Sequence, residues 1–303
     1  MAGKAVHTGQ HSGSDPNAPA GQDEAGEMEN RGEPTVPELA YVCVKVGHKY
    51  SADHVNSLYR MCKEFGPEEG PFCCVTEDSE GLLPGIVQLE PVEPRLLKGW
   101  FQKIGLFAPE PYGLTIPFLY LDLDVVVTGM LETLIPTEKD FMIAPAFYTG
   151  AVEDRRCNSS VFYLKPGART EVWEAREAVK SLPQGKGDQE IIDSFLTEED
   201  FYPVDRVLSF KKDVLDPVHR PDMLRARDPE RMALALDYRR SAVVAFHGDM
   251  KPWDVLAHPL VEEYYAMNDG QLHRLQDFKV RQSSQLGGMR ILFPDDPIPR
   301  EMR

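Results

Sequence analysis

Phe118-Leu-Tyr-Leu-Asp122-Leu-Asp124-Val-Val-Val127 is the longest apolar run in the chain, and two aspartates interrupt it. A run of this kind reads as a strand buried on both faces, the pattern of a central strand in a mostly parallel sheet. Side chains two apart on a strand point to the same side, so Asp122 and Asp124 are expected next to each other. Two carboxylates on one face of an apolar strand repel each other and lose hydration. A hard divalent cation that also bridges phosphate oxygens relieves both costs. Acids that simply face water at the end of a strand are the plain alternative.

On either side of this run, short apolar stretches alternate with segments of helical length. Residues 41–46, 72–75 and 86–89 read as strands, with helices expected over 51–65 and 94–107. Val55, Leu58, Tyr59, Cys62 and Phe65 share one face of the first helix, and Ser51 or Asp53 can cap it. Beyond the run, strands are expected over 141–144, 160–164 and 242–246, and helices over 170–182, 188–196 and 258–267. Strands alternating with helices argue for an α/β fold with a mostly parallel central sheet flanked by helices.

The ends differ from this body. Residues 1–38 hold no aromatic side chain and too little apolar surface to offset ordering, which reads as a disordered tail. The body is expected over 39–292, and the proline-rich stretch 293–303 as a C-terminal tail. No run of 18 apolar residues is present, and the first twenty residues lack the apolar core of a signal peptide. The five cysteines are odd in number, and several sit in strand-like runs. They read as reduced side chains in a cytoplasmic protein rather than a disulfide or zinc framework. A formal charge of −16 argues against nucleic acid as a partner, and a phosphorylated ligand would need local cations or a metal.

A second informative stretch, Ala245-Phe-His247-Gly248-Asp-Met-Lys251-Pro252-Trp253, follows a predicted strand. A histidine there suits a metal, Gly248 allows close approach of the backbone, and Lys251 offers a mobile ammonium to phosphate oxygens. A surface turn with a solvated lysine is the plain alternative.

Together the two stretches resemble glycosyltransferase family 8, the group that includes glycogenin and bacterial lipopolysaccharide galactosyltransferases. Its hallmarks are Asp-x-Asp after an apolar strand and a late His-x-Gly-x-x-Lys-Pro-Trp or close variant; His247 to Trp253 is taken as such a variant, about 120 residues after Asp124. The resemblance implies a GT-A fold and a nucleotide-sugar donor, with uridine as the base. It implies Mn²⁺ (or Mg²⁺) on Asp122, Asp124 and His247, with Gly248 and Lys251 near the donor diphosphate. Cys157-Asn158-Ser-Ser160 looks like the family's Asn-Ser-Gly strand, which implies that Asn158 contacts the donor sugar, with Ser160 replacing the glycine. Gly187-Asp188-Gln189 is similar to its Asp-Gln element, with Asp188 on sugar hydroxyls and Gln189 near the reacting carbon. Lys103 stands where the family has a basic donor contact, and Tyr50 where a ring can stack on the base. An exposed helix lysine and a hydrophobic staple are the ordinary readings of Lys103 and Tyr50. The acceptor, whether saccharide, lipid-linked or protein, is not fixed by these residues.

Two alternatives remain. Asp-x-Asp-x-Val also resembles haloacid dehalogenase-type phosphatases, with Asp122 as nucleophile. That family carries its nucleophile on the first core strand, whereas about three strands are expected before Asp122 here. A non-catalytic nucleotide-sugar binder is the other.

Overall fold

The computed structural model describes residues 38–67, 70–147, 157–215, 238–248, 250–255 and 258–261, all in one compact unit that begins at Glu38. The expected tails, apart from Glu38, and most of the helix expected over 258–267 lie outside the described residues.

Nine strands are described: β1 (Ala40–Val44), β2 (Phe72–Val75), β3 (Ile86–Leu89), β4 (Phe118–Leu121), β5 (Val125–Val127), β6 (Phe141–Pro145), β7 (Cys157–Leu164), β8 (Val207–Ser209) and β9 (Val243–Ala245). Six form a sheet in the order β3-β2-β1-β4-β7-β6, and three form a second sheet in the order β5-β9-β8. In the larger sheet the pairs β2–β3, β1–β2 and β1–β4 are parallel, while β7 is antiparallel to both β4 and β6. Five strands therefore share one direction, and only β7 opposes them.

Period-two alternation buries both faces of this sheet. Tyr41, Cys43, Leu119 and Leu121 enter one core together with Val55, Leu58 and Cys62 of α1 (Ala52–Phe65). Ala40, Val42, Val44, Phe118 and Tyr120 enter the other, against Ile104, Leu106 and Phe107 of a 3₁₀ helix over Gly99–Phe107. At the start of α1 the Ser51 amide donates to His54 Nδ1 at 3.0 Å, which satisfies a donor the helix itself leaves open.

The apolar run is not one strand. β4 ends at Leu121, where its pairing with β7 stops, and β5 begins at Val125, paired with β9 in the second sheet. Asp122 and Asp124 thus occupy the turn between two sheets and are not same-face neighbours on a strand; Leu123, between them, is 3% exposed in the first core. The helix expected over 94–107 begins only at Gly99, which has φ +56°, and is 3₁₀. The helix expected over 170–182 is α-helical only over Thr170–Glu174 (α2) and continues as 3₁₀ to Ser181. That expected over 188–196 ends at Asp193 (α3, Asp188–Asp193).

The switch of sheets at Asp122–Asp124 decides what meets there. β1 runs parallel to β4, so the turn after β1 emerges at the same edge. β7 is antiparallel to β4 and begins there, with the Asp122 amide donating to the Ser160 carbonyl at 2.8 Å. β9 is antiparallel to β5 and ends where β5 begins, with the Phe246 amide donating to the Asp124 carbonyl at 3.0 Å. Three segments distant in sequence converge on this turn at the carboxyl ends of the parallel strands, the edge at which open α/β sheets bind ligands.

Candidate active site

Lys103 is at the centre of the first half of the site. The 3₁₀ helix that carries it packs on the larger sheet, and the residue is only 4% exposed. Its ammonium lies 2.9 Å from Ser159 Oγ, 3.3 Å from Asp122 Oδ1 and 3.2 Å from Asp188 Oδ2. Ser159 donates to Asp188 Oδ2 at 2.6 Å, and the Tyr120 hydroxyl donates to Asp122 Oδ1 at 2.6 Å. Burial disfavours the Lys103 ammonium, but Asp122 and Asp188 outweigh it and raise the pKa above the ordinary lysine value. Burial likewise opposes ionisation of Asp122, and Lys103 with the Tyr120 hydroxyl overcomes it to hold the carboxyl below its usual range. Lys103 is therefore the locked centre of an ionic network, not an exposed helix lysine.

Lys251 and Asp124 make the second half. The Lys251 ammonium lies 2.5 Å from Asp124 Oδ2, which also accepts from the Tyr50 hydroxyl at 3.1 Å. The rings of Tyr50, His54 and Trp253 pack edge to face, with His54–Trp253 centroids 4.4 Å apart and Tyr50–Trp253 centroids 6.0 Å apart. That cluster clamps the turn after β1 to the Lys-Pro-Trp loop. Tyr50 is thus part of a clamp and a hydrogen-bond donor to Asp124.

His247 Nε2 lies 2.7 Å from Ser209 Oγ at the end of β8, and the ring stacks on Phe147 at 5.1 Å. Burial, then the charges of Lys211, Lys251 and Lys212, lowers its pKa to about 4. Gly248 has φ +70°, with open space where a Cβ would lie, so its requirement is backbone conformation. Asn158 is buried and accepts from the Ser160 amide at 3.0 Å, and Gln189 is half-buried directly after Asp188.

No family model matches the sequence, and no curated protein matches it. Solved structures match its fold. The galactosyltransferase LgtC, in a crystal structure with donor and acceptor sugar analogs, gives a TM-score of 0.50 at 16% identity, over 75% of this chain and 94% of that one. The glycosyltransferase GlyE of Streptococcus pneumoniae TIGR4 gives 0.53 at 13% identity, over 86% of this chain and 67% of that one. WbbM, a bifunctional glycosyltransferase, gives 0.50 at 10% identity, over 77% of this chain and 50% of that one. The chain has a GT-A glycosyltransferase fold.

The carboxylate oxygens of Asp122 and Asp124 are of the hard donor type that a divalent ion such as Mn²⁺ or Mg²⁺ takes. Lys103 and Lys251 are the cations those carboxylates hold here. His247 turns Nε2 to Ser209, and among the described residues no three His, Cys, Asp or Glu side chains gather as a metal-binding group. Ser159 and Lys49 are site residues that the sequence patterns did not single out. Ser159 carries no signal beyond its place in the Asn158–Ser160 stretch; Lys49 follows Gly47 and His48 in the turn after β1. Its charge is felt by Asp124, Lys251, Asp122 and Lys103.

Proposed function

We propose that this protein is a metal-dependent glycosyltransferase that takes a sugar from a nucleoside diphosphate donor, a uridine diphosphate sugar by family resemblance, and passes it to a saccharide, lipid-linked or protein acceptor. The observation that carries the reading is the gathering of Asp122, Asp124, Lys103 and Lys251 around one turn at the ligand-binding edge of a GT-A sheet. LgtC, of similar fold, was solved with donor and acceptor sugar analogs, which supports a donor and an acceptor for this chain too.

Asp122 and Asp124 would hold Mn²⁺ or Mg²⁺, with His247 as the further ligand that the resemblance implies. Bound there, the cation supplies positive charge to the departing diphosphate. Lys251, on a loop and partly exposed, exchanges Asp124 for a phosphate oxygen when the donor binds, replacing one charge-assisted contact with another. Gly248 lets the backbone of that loop lie close to the phosphates. Asp188 has Oδ2 fixed by Ser159 and Lys103, so Oδ1 is the atom it offers to a donor-sugar hydroxyl. Asn158 lines the sugar from β7, Gln189 lies beside the anomeric carbon, and Tyr50 borders the base. Transfer with retention, by attack on the same face through an oxocarbenium-like state, follows the family resemblance. All five cysteines are free and buried, which supports a reducing, cytoplasmic setting.

Turnover measured in EDTA and after adding back Mn²⁺ or Ca²⁺ tests the metal. Chelation is expected to abolish activity, and Mn²⁺ to restore it better than Ca²⁺, since a histidine ligand suits the smaller, softer ion. Full turnover in EDTA removes the metal from the account.

A further inference from the structure

The site's lysines differ in how their charge is satisfied. Lys103 is tied to Asp122, Asp188 and Ser159, and Lys251 to Asp124. Lys45, at the foot of the turn after β1, reaches Thr76 Oγ1 at 3.5 Å and the Asp78 carbonyl at 3.4 Å. Lys49 has none of this. Among the described residues its ammonium makes neither hydrogen bond nor ion pair, and it lies 4.9 Å from the ring centroid of Tyr50 and 5.8 Å from that of Trp100.

Ring faces hold a cation in place without neutralising it. Trp100 is itself 52% exposed, and its indole nitrogen is 3.5 Å from where a Cβ on Gly187 would lie. The ring thus stands between Lys49 and the start of α3, which carries Asp188. Lys49 is held at the rim of the cluster, bracketed by the side of the site that carries Asp124 and the side that carries Asp188. Lys49 is exposed, yet the rings and chain around it desolvate the ammonium enough to lower its pKa, which Asp124 and Asp122 oppose and Lys251 and Lys103 reinforce. Asp122, Asp124 and Asp188 outnumber Lys103 and Lys251, yet no aspartate closes on Lys49. In a chain of formal charge −16, a lysine braced on aromatic faces and left unpaired beside two other lysines is placed for an anion that arrives with a ligand.

We propose that Lys49 binds the diphosphate of the donor, sharing with Lys251 the negative charge that leaves on the nucleoside diphosphate. The proposal rests on the donor reading above and adds to it a residue from the turn after β1, the turn that Tyr50 joins to the Lys-Pro-Trp loop. Tyr50 and Trp100 then serve as the positioning residues that aim it.

Calorimetric titration of the full chain in Mn²⁺ with UDP, GDP and ADP, and with the parent nucleoside of the tightest binder, tests this. Lys49→Met keeps the length of the stem and removes the charge; Lys49→Arg keeps the charge. Lys49→Met is expected to bind the diphosphate about tenfold more weakly, the scale of one charged contact, with nucleoside affinity and melting temperature unchanged. Lys49→Arg is expected to recover most of the loss. Equal diphosphate affinity in the wild type and Lys49→Met overturns the Lys49 assignment and leaves the donor reading standing. A matching loss for nucleoside and diphosphate makes Lys49 a support of the base pocket and also overturns it. A wild type that binds none of the three diphosphates overturns the proposal and the donor reading together.

Discussion

Lys103 and Lys251 each hold an aspartate of the same turn, on very different foundations. Lys103 is 5% exposed by side chain and bonds two carboxylates and a hydroxyl, on an element packed against the larger sheet. Lys251 is 16% exposed and bonds one carboxylate from a loop after the last strand of the small sheet. A buried lysine that neutralises two buried acids holds the site's shape; a lysine on a loop with one partner is free to exchange that partner for a ligand.

Removing the Lys103 charge is the strongest way to break this contrast. Lys103→Met leaves Asp122 and Asp188 without their cation, and a loss of about 3–5 kcal/mol of unfolding free energy is expected in urea melts. A change under about 1 kcal/mol would mean that the network contributes nothing to the fold and that the two lysines are alike.

Acid titration separates the halves next. His247 is held at about 4 in the folded chain, below the ordinary histidine value of 6.5, so the unfolded chain binds more protons between those values. The stability this contributes is complete above about pH 6.5 and is lost as pH falls toward about 4, roughly 3 kcal/mol at most. Asp122 is held below the usual carboxylate range by Lys103 and the Tyr120 hydroxyl and keeps its charge through that window. His247→Gln is expected to flatten part of the pH dependence of urea stability between pH 6.5 and 4. An unchanged slope would contradict the burial assigned to His247.

Lys251→Ala comes third, and in the opposite currency to Lys103. Its kcat and donor affinity are expected to fall by a combined 1.5–3 kcal/mol or so, while unfolding free energy changes by under about 1 kcal/mol. A lower melting temperature with unchanged kcat would make Lys251 structural.

The smallest effect is expected at Gly248. Its φ of +70° costs an alanine roughly 1 kcal/mol, although the space for a Cβ is open. Gly248→Ala that melts with the wild type would show that the loop relaxes to another conformation.

β2 and β3 are legible to the residue because glycine and proline precede each short apolar run and a polar residue follows it. The split at Asp122–Asp124 is not. Leu121, Leu123 and Val125 are all buried, so hydropathy shows no break where the chain changes sheets. β8 was invisible for a related reason: Val207–Ser209 is three residues long, too short for alternation to register. Asp122, Asp124 and His247 stand out in the sequence because charged and imidazole groups interrupt or end apolar runs there, and Lys251 because it follows His247 and Gly248 in one loop. Lys103 is singled out only by the family resemblance at its position ahead of the run, since its partners Asp188 and Ser159 are more than fifty residues away. Ser159 and Lys49 escaped because their significance lies entirely in what the sheet order brings beside them.

Incubating the full chain in Mn²⁺ with a panel of nucleotide sugars and measuring nucleoside diphosphate release tests whether it transfers a sugar from a nucleoside diphosphate. The slow hydrolysis that such enzymes show without acceptor is expected to single out one donor, to disappear in Asp124→Asn, and to leave p-nitrophenyl phosphate untouched. No release from any donor, with hydrolysis of p-nitrophenyl phosphate that depends on Asp122, would contradict it.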